Sequence, residues 1–274
     1  MRSSLLVCCL VLTPLWTTPL RAEEPVRLAP HRVVYDLSLA SSRGEKVESA
    51  RGRIAFEFTG NACEGYALKY RQVTVLQSTE TGTKTSDLRT ANFESGDGKS
   101  FRFRNDSQME GGPSQVVDGT AEKRGDGPLA VKLKTPKRDN VALDGNAVFP
   151  NAQMKDLIAA ARAGQSTLSL KVFDGSEDGR KLYDTLAVIG RKVEGGSDKL
   201  EGPAQQDALK SMARWPVTLS YFTQGKGEQT PVYVLSFDLY ENGVSRALRL
   251  DYGDFALKGD MQSLELLPDK GCQR

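Results

Sequence analysis

His31 is the only histidine in the 274-residue sequence. A Ser-His-Asp or Cys-His nucleophile system would have to be built on it, and a multi-histidine metal site is excluded. It heads an alternating segment with no partner visible in the sequence, so it reads as a strand-edge residue rather than a general base. Neither a G-x-S-x-G elbow nor an S-x-x-K pair occurs. The 35 acidic residues make any carboxylate pair for glycosidase chemistry an arbitrary choice. No catalytic residue is assigned.

Three segments resemble ligand or modification motifs. Gly98-Lys99-Ser100 ends like a phosphate loop, but Phe93 stands where the first glycine belongs. Alternating Phe101 to Arg104 then follows where a helix N-terminus is required, so a hairpin turn is the better reading. Asp174, Ser176, Asp178 and Gly179 match the early positions of a calcium loop, but Thr185 replaces its closing glutamate. The flanks alternate like strands, and the segment reads as a solvated turn. No metal and no cofactor is expected. Asn105-Asp106-Ser107 is a formal glycosylation sequon, relevant only in a host that glycosylates.

The cysteines depend on the N-terminus. Met1-Arg2, the apolar run from Leu5 to Leu15 and small Ala22 form the pattern of a signal peptide over residues 1–22, too short for a stable anchor. Cleavage near Ala22 removes Cys8 and Cys9 and takes two arginines from the 37 basic residues, matching the 35 acidic ones. A neutral mature chain does not suit a nucleic-acid binder. Cys63 and Cys272 remain, and in an exported protein they read as one disulfide, with two free thiols as the alternative. Such a bridge closes a loop of 209 residues. The chain-entropy model values it at roughly 5 kcal/mol.

The elements that carry these residues are mostly strands. Val33, Tyr35, Leu37 and Leu39 share one face; Ile54, Phe56 and Phe58 repeat the pattern, as do Tyr66, Leu68 and Tyr70. Similar runs include Phe101 and Phe103, Leu129 to Leu133, Leu168 to Val172, Val217 to Tyr221, Tyr233 to Tyr240, Leu248 to Tyr252, and Leu264 with Leu266. Half-buried antiparallel strands alternate this way. Turns are expected at Ser42-Arg43-Gly44, Thr59-Gly60-Asn61, Gly96-Asp97-Gly98 and Glu241-Asn242-Gly243. The aromatics read as core rather than a ligand cage. Residues 106–127, rich in Gly, Ser, Asp and Glu, read as loops or a mobile strand edge.

One helix is expected over Asn151–Ala163, capped by Asn151, stopped by Gly164, with Met154, Leu157, Ile158 and Ala161 on one face. A weaker one runs from Pro203 to Met212. The fold class is mainly β: about a dozen or more antiparallel strands, with one or two short helices, in a single domain over residues 23–274. A sheet of that size must curl, split or close as a barrel.

Several segments occur in a telling order: His31 to Leu39, Gly52 to Gly60 before Cys63-Glu-Gly-Tyr66, Phe173 to Ser176 with Tyr183-Asp-Thr185, Trp215 to Phe222, Tyr240 to Gly243, and Cys272. In this the chain resembles the EipB-like family of periplasmic cell-envelope integrity proteins of alphaproteobacteria, over nearly the whole mature sequence. The resemblance implies a β-spiral, an overlapping broken barrel with an inserted helix. It also implies a Cys63–Cys272 disulfide, a periplasmic location and a role in envelope integrity. The family supplies no catalytic residues. The reading is a non-catalytic protein acting through a periplasmic protein partner or envelope component. The alternatives are a carrier of a lipid or other amphiphile, and an unrecognised envelope hydrolase. Neither nucleic acid binding nor membrane spanning is expected.

Overall fold

A computed structural model describes residues 25–125, 127–195, 200–223, 230–269 and 271–272. The expected signal segment, with Cys8, Cys9 and Ala22, lies outside the described residues. The first arm of the chain is a run of hairpins: β1 (His31–Ser42), β2 (Val47–Asn61), β3 (Gly65–Ser78), β4 (Gly82–Ser95), β5 (Ser100–Met109), β6 (Gln115–Glu122), β7 (Leu129–Thr135) and β8 (Asp139–Leu143). Then come β9 (Ala147–Val148), helix α1 (Pro150–Arg162), β10 (Thr167–Val172) and β11 (Tyr183–Ile189). The helical turn α2 (Asp207–Lys210) precedes β12 (Arg214–Thr223), β13 (Tyr233–Tyr240), β14 (Ser245–Asp251) and β15 (Phe255–Leu266).

All fifteen strands join one sheet, in the order β8 to β1, then β15 to β9. Neighbours are antiparallel except β9 and β10. The sheet is not closed: β8 and β9 are its two edges. It rolls instead, so that the inner face of β5–β7 laps over the region around β9 and β10. That seam is apolar, with Phe101, Phe103, Val131 and Leu133 packed on Phe149, Phe173 and Leu182. The Phe101 and Phe149 rings stack at 5.0 Å, and Phe103 meets Phe173 edge-on at 5.5 Å.

Helix α1 lies inside the roll and ties its arms together. Its face of Leu157, Ile158, Ala160 and Ala161 packs on Phe58 and Tyr66 from one arm and on Trp215, Val217 and Leu239 from the other. Burying each such side chain is worth about 1.5–3 kcal/mol, which is why this amphipathic stripe is central to the fold. The helix stop is as expected: Gly164 has φ +71°, and Gln165 N donates to the Ala160 carbonyl at 2.9 Å.

The start of the helix differs from expectation. Pro150 takes the first helical position, and Asn151 sits inside the helix, buried. The capping acceptor comes from β4: the buried Glu94 carboxylate accepts Asn151 N at 2.8 Å and Ala152 N at 3.0 Å. Burial still pushes its carboxyl up, because the surroundings penalise the charge more than the two N–H groups favour it.

Other readings need correction. The weaker helix over Pro203–Met212 is a short 3-10 stretch at Gly202–Gln205 and the single turn α2, broken where Gln206 turns extended. Residues 106–127 are loop only in part: residues 110–114 and 123–125 are turn or loop, while β5 runs on to Met109 and β6 lies between β5 and β7 with Val117 and Ala121 buried. Its Gly119 stands where a Cβ would meet the Lys132 carbonyl and the Phe103 ring, so the small residues reflect close packing. Thr59-Gly60-Asn61 continues β2, and the turn falls three residues later, at residues 62–64. Cys63 in that turn is joined by a disulfide to Cys272 beyond β15, with Cα atoms 5.6 Å apart.

Outside the roll, Leu200, Ala204 and Leu209 cover the sheet near β14 and β15. Beneath them Arg246 donates to Glu201 at 2.5 Å and to Asp238 at 2.6 Å, with Arg214 also on Asp238 at 3.3 Å. Among the described residues, no helix is long and apolar enough to cross a membrane.

Candidate functional site

The phosphate-loop remnant forms the hairpin between β4 and β5, as expected: Gly98 N donates to the Ser95 carbonyl at 2.9 Å. The calcium-like segment is a solvated turn only at Glu177 and Asp178; Gly175 and Gly179 are buried. Gly175 and Gly179, both at φ +71°, lie against Phe103 and against Leu133 and Val117, too close for a Cβ. This glycine-rich lap completes the seam. Asp174 accepts Ser176 N at 2.9 Å, Asp178 accepts Arg180 N at 3.0 Å, and Glu177 is held by Lys181 and by Tyr183 at 2.5 Å. Among the described residues, no group of three or more His, Cys, Asp or Glu is placed to hold a metal ion. The sequon asparagine points inward: Asn105 Nδ2 donates to the Gly175 carbonyl at 2.8 Å.

His31 opens β1, at the start of a strand as expected, but not on an edge strand of the sheet. β1 is a central strand between β2 and β15, and His31 is buried, 4% exposed. Its Nδ1 lies 2.7 Å from the Ala29 carbonyl and its ring stacks on Phe56 at 5.1 Å. Burial pushes its pKa down and keeps the imidazole neutral, so it serves as a flat wall rather than a charge.

That wall borders a cavity of about 220 Å³ inside the roll. Ile54, Phe56, Leu235, Leu248 and Leu250 supply its apolar surface, Met154 of α1 reaches it, and Tyr35, Tyr70 and Tyr233 also line it. A second, wetter crevice of about 670 Å³ adjoins it, between the inner faces of β3–β6 and the lap at Asp174–Glu177. Its lining includes Thr90, Asn92, Asn105, Ser107 and Gln115, with Tyr70 and Tyr221. Tyr70 lines both spaces.

Tyrosines mark this mouth. Tyr183, Tyr221, Tyr233 and Tyr252 form a chain of rings with centroids 6.1, 6.0 and 5.2 Å apart. Gln72 bridges the arms: it accepts from the Tyr70 hydroxyl and donates to the Tyr252 hydroxyl at 3.2 Å. Burial raises the phenol pKa of Tyr70, Tyr221 and Tyr233, so these hydroxyls remain protonated. Of the aromatics read as core, Tyr35, Phe58, Tyr66, Phe101 and Phe103 are buried. Phe56 and Tyr70 are half-buried and border the cavity instead. Alternation identified their inward face; only the curvature of the sheet shows that they meet open space.

On the outer face, a groove of about 570 Å³ is lined by Arg32, Lys69, Arg71, Arg89 and Arg104. These cations are paired: Arg32 and Lys69 with Glu57 at 2.6 and 3.1 Å, Arg71 and Arg89 with Asp87 at 2.8 Å each, Arg104 with Asp118 at 3.3 Å. The carboxylates blunt the field there, and the interior space is the better candidate site.

The EipB-like family model matches residues 22–268. The Brucella abortus (strain 2308) protein named "Cell envelope integrity protein EipB" is 37% identical over 249 residues, covering 89% of this chain and 86% of that protein. A crystal structure from Brucella abortus, described as a beta-barrel-like protein of a domain of unknown function, aligns with a TM-score of 0.80 and 36% identity. It covers 89% of this chain and 100% of the solved one.

Proposed function

The chain belongs to the EipB-like family, and from that premise we propose that it is a non-catalytic periplasmic protein that maintains the cell envelope through a protein partner or envelope component. The observation that carries this reading is the relative named for envelope integrity, which matches across 89% of the chain. The signal-like residues 1–22 and the neutral, wall-forming role of His31 are consistent with it. Deletion of the gene in its host, with a chromosomal copy for rescue, tests it. Sensitivity to detergent and to cell-wall antibiotics should rise and be restored by the wild-type copy. Unchanged sensitivity overturns the reading. N-terminal sequencing of the periplasmic protein should begin at Glu23.

A second reading is a carrier for a lipid or other amphiphile, favoured by the aromatic-lined space inside the roll. Native mass spectrometry of protein drawn from a periplasm, before and after solvent extraction, should show one extractable ligand per chain. An unliganded mass in both samples removes this reading.

A further inference from the structure

The two compartments inside the roll differ in how many polar groups line them. The cavity wall is hydrocarbon and aromatic, from Ile54, Phe56, Leu248 and Met154. Its volume of about 220 Å³ holds roughly seven groups of about 30 Å³ each, the share of one water in the liquid. That is room for one short alkyl chain, not two.

The crevice sets amides, hydroxyls and two carboxylates among Leu68, Leu88, Val117 and tyrosine rings. At its inward-facing positions β4–β6 carry Thr90, Asn92, Asn105 and Ser107, where the same face further along is Phe101, Phe103 and Ala121. A polar side chain on an inner face is unfavourable unless it is hydrogen-bonded. Asn105 is: it accepts from Thr90 at 2.8 Å and donates to Gly175. Half-buried Asn92 has no side-chain partner among the described residues. No lysine or arginine lines the crevice among the described residues, while Asp174 and Glu177 do. An anionic head would find two carboxylates there, and Lys181 at the rim is already paired with Glu177. Tyr221 in the crevice and Tyr233 in the cavity lie ring to ring at 6.0 Å, so the two spaces adjoin.

We propose that the two compartments hold one molecule, an amphiphile with a single short alkyl chain and an uncharged, sugar-like head rich in hydroxyl groups. The chain occupies the cavity and the head occupies the crevice, against Asn92 and the tyrosine rings. This rests on the carrier reading and narrows it.

Isothermal titration of the mature protein tests the assignment with three probes: octyl β-D-glucoside below its micelle concentration, octyl sulfate with the same chain, and methyl β-D-glucoside with the head alone. Octyl glucoside should saturate at one per protein, bind about tenfold or more tighter than octyl sulfate, the equivalent of one or two net hydrogen bonds, and bind far tighter than methyl glucoside, which lacks the alkyl chain that the cavity buries. Met154→Trp, filling the cavity, should reduce octyl glucoside to the level of methyl glucoside. Leu248→Phe makes the same test from the sheet if the first variant does not fold. Asn92→Ala should weaken octyl glucoside and leave octyl sulfate unchanged. Octyl sulfate binding as tightly as octyl glucoside overturns the head assignment and leaves a carrier. Methyl glucoside binding as tightly overturns the chain assignment. If neither octyl compound binds, the carrier reading falls and this proposal with it.

Discussion

The seam and the mouth are two places where the rolled sheet faces itself, and they are finished differently. At the seam, Phe101, Phe103, Phe149 and Phe173 fill the gap between β5–β7 and the β9–β10 region, and glycines at 175 and 179 let the lap come close. At the mouth, Tyr70, Tyr221, Tyr233 and Tyr252 face one another around open space, and Gln72 spans it with hydrogen bonds. In neither place do paired strands make the join. The kind of side chain at the inward positions therefore sets where the roll is sealed. Phenylalanine gains only by excluding water, whereas a tyrosine hydroxyl keeps a polar partner at the surface it covers.

The largest expected effect separates the two directly. Phe101→Ala at the seam should lower stability by about 3–5 kcal/mol in urea unfolding. Tyr233→Phe at the mouth should lower it by about 1 kcal/mol or less. Equal losses would break the comparison. Next, Cys272→Ser removes the bridge near the β2–β3 turn, away from both, and should cost about 2–4 kcal/mol under oxidising conditions. A melt that matches the wild type would show that the bridge adds no stability.

Two smaller effects are read from pH. Burial holds the Glu94 carboxyl above the ordinary glutamate value of 4.5, so its stabilising contribution is full below that value and declines as pH rises past it. The stability difference between wild type and Glu94→Gln should therefore shrink from about pH 4 to about pH 7. A constant difference would mean that the helix cap at the seam does not titrate. His31 at the cavity has the opposite sign: burial lowers its pKa from 6.5, so its contribution is present above that value and is lost as pH falls. His31→Phe should abolish that acid-side loss between about pH 7.5 and about pH 5, the smallest effect of the set.

Much of this architecture can be read along the chain, because period-two alternation reports which side chains face inward. It identifies β1, β2, β5, β7 and β12, and the stripe Leu157, Ile158 and Ala161 marks α1 in the same way. It fails at β6, where Gly119 is small because Phe103 and β7 press on it, and smallness mimics a loop. It fails for Glu94, whose partners are the N–H groups of a helix 57 residues away. The candidate site is less legible than the fold. Tyr70, Asn92 and Met154 are ordinary inward residues on three elements, and only the rolling of the sheet makes them neighbours.

The pairing of β1 with β15, His31 opposite Leu266, places the two ends of the ordered sheet's chain at its centre. As the polypeptide is synthesised, β1 to β8 can zip as successive hairpins, and β10 to β14 can do the same afterwards. Each is then a half-sheet with an inner edge still unpaired, β1 on the first and β14 on the second. Only β15 covers both, and it is made last. Pairing across so long a stretch of chain is slow to form, and until it does both edges are open to pairing with other chains. A truncation just before Phe255 would thus leave most of the hydrogen-bonded sheet intact and still leave two sticky edges. A late nonsense mutation should be as damaging as an early one, and the protein's own assembly depends on its final strand arriving before another molecule's edge does.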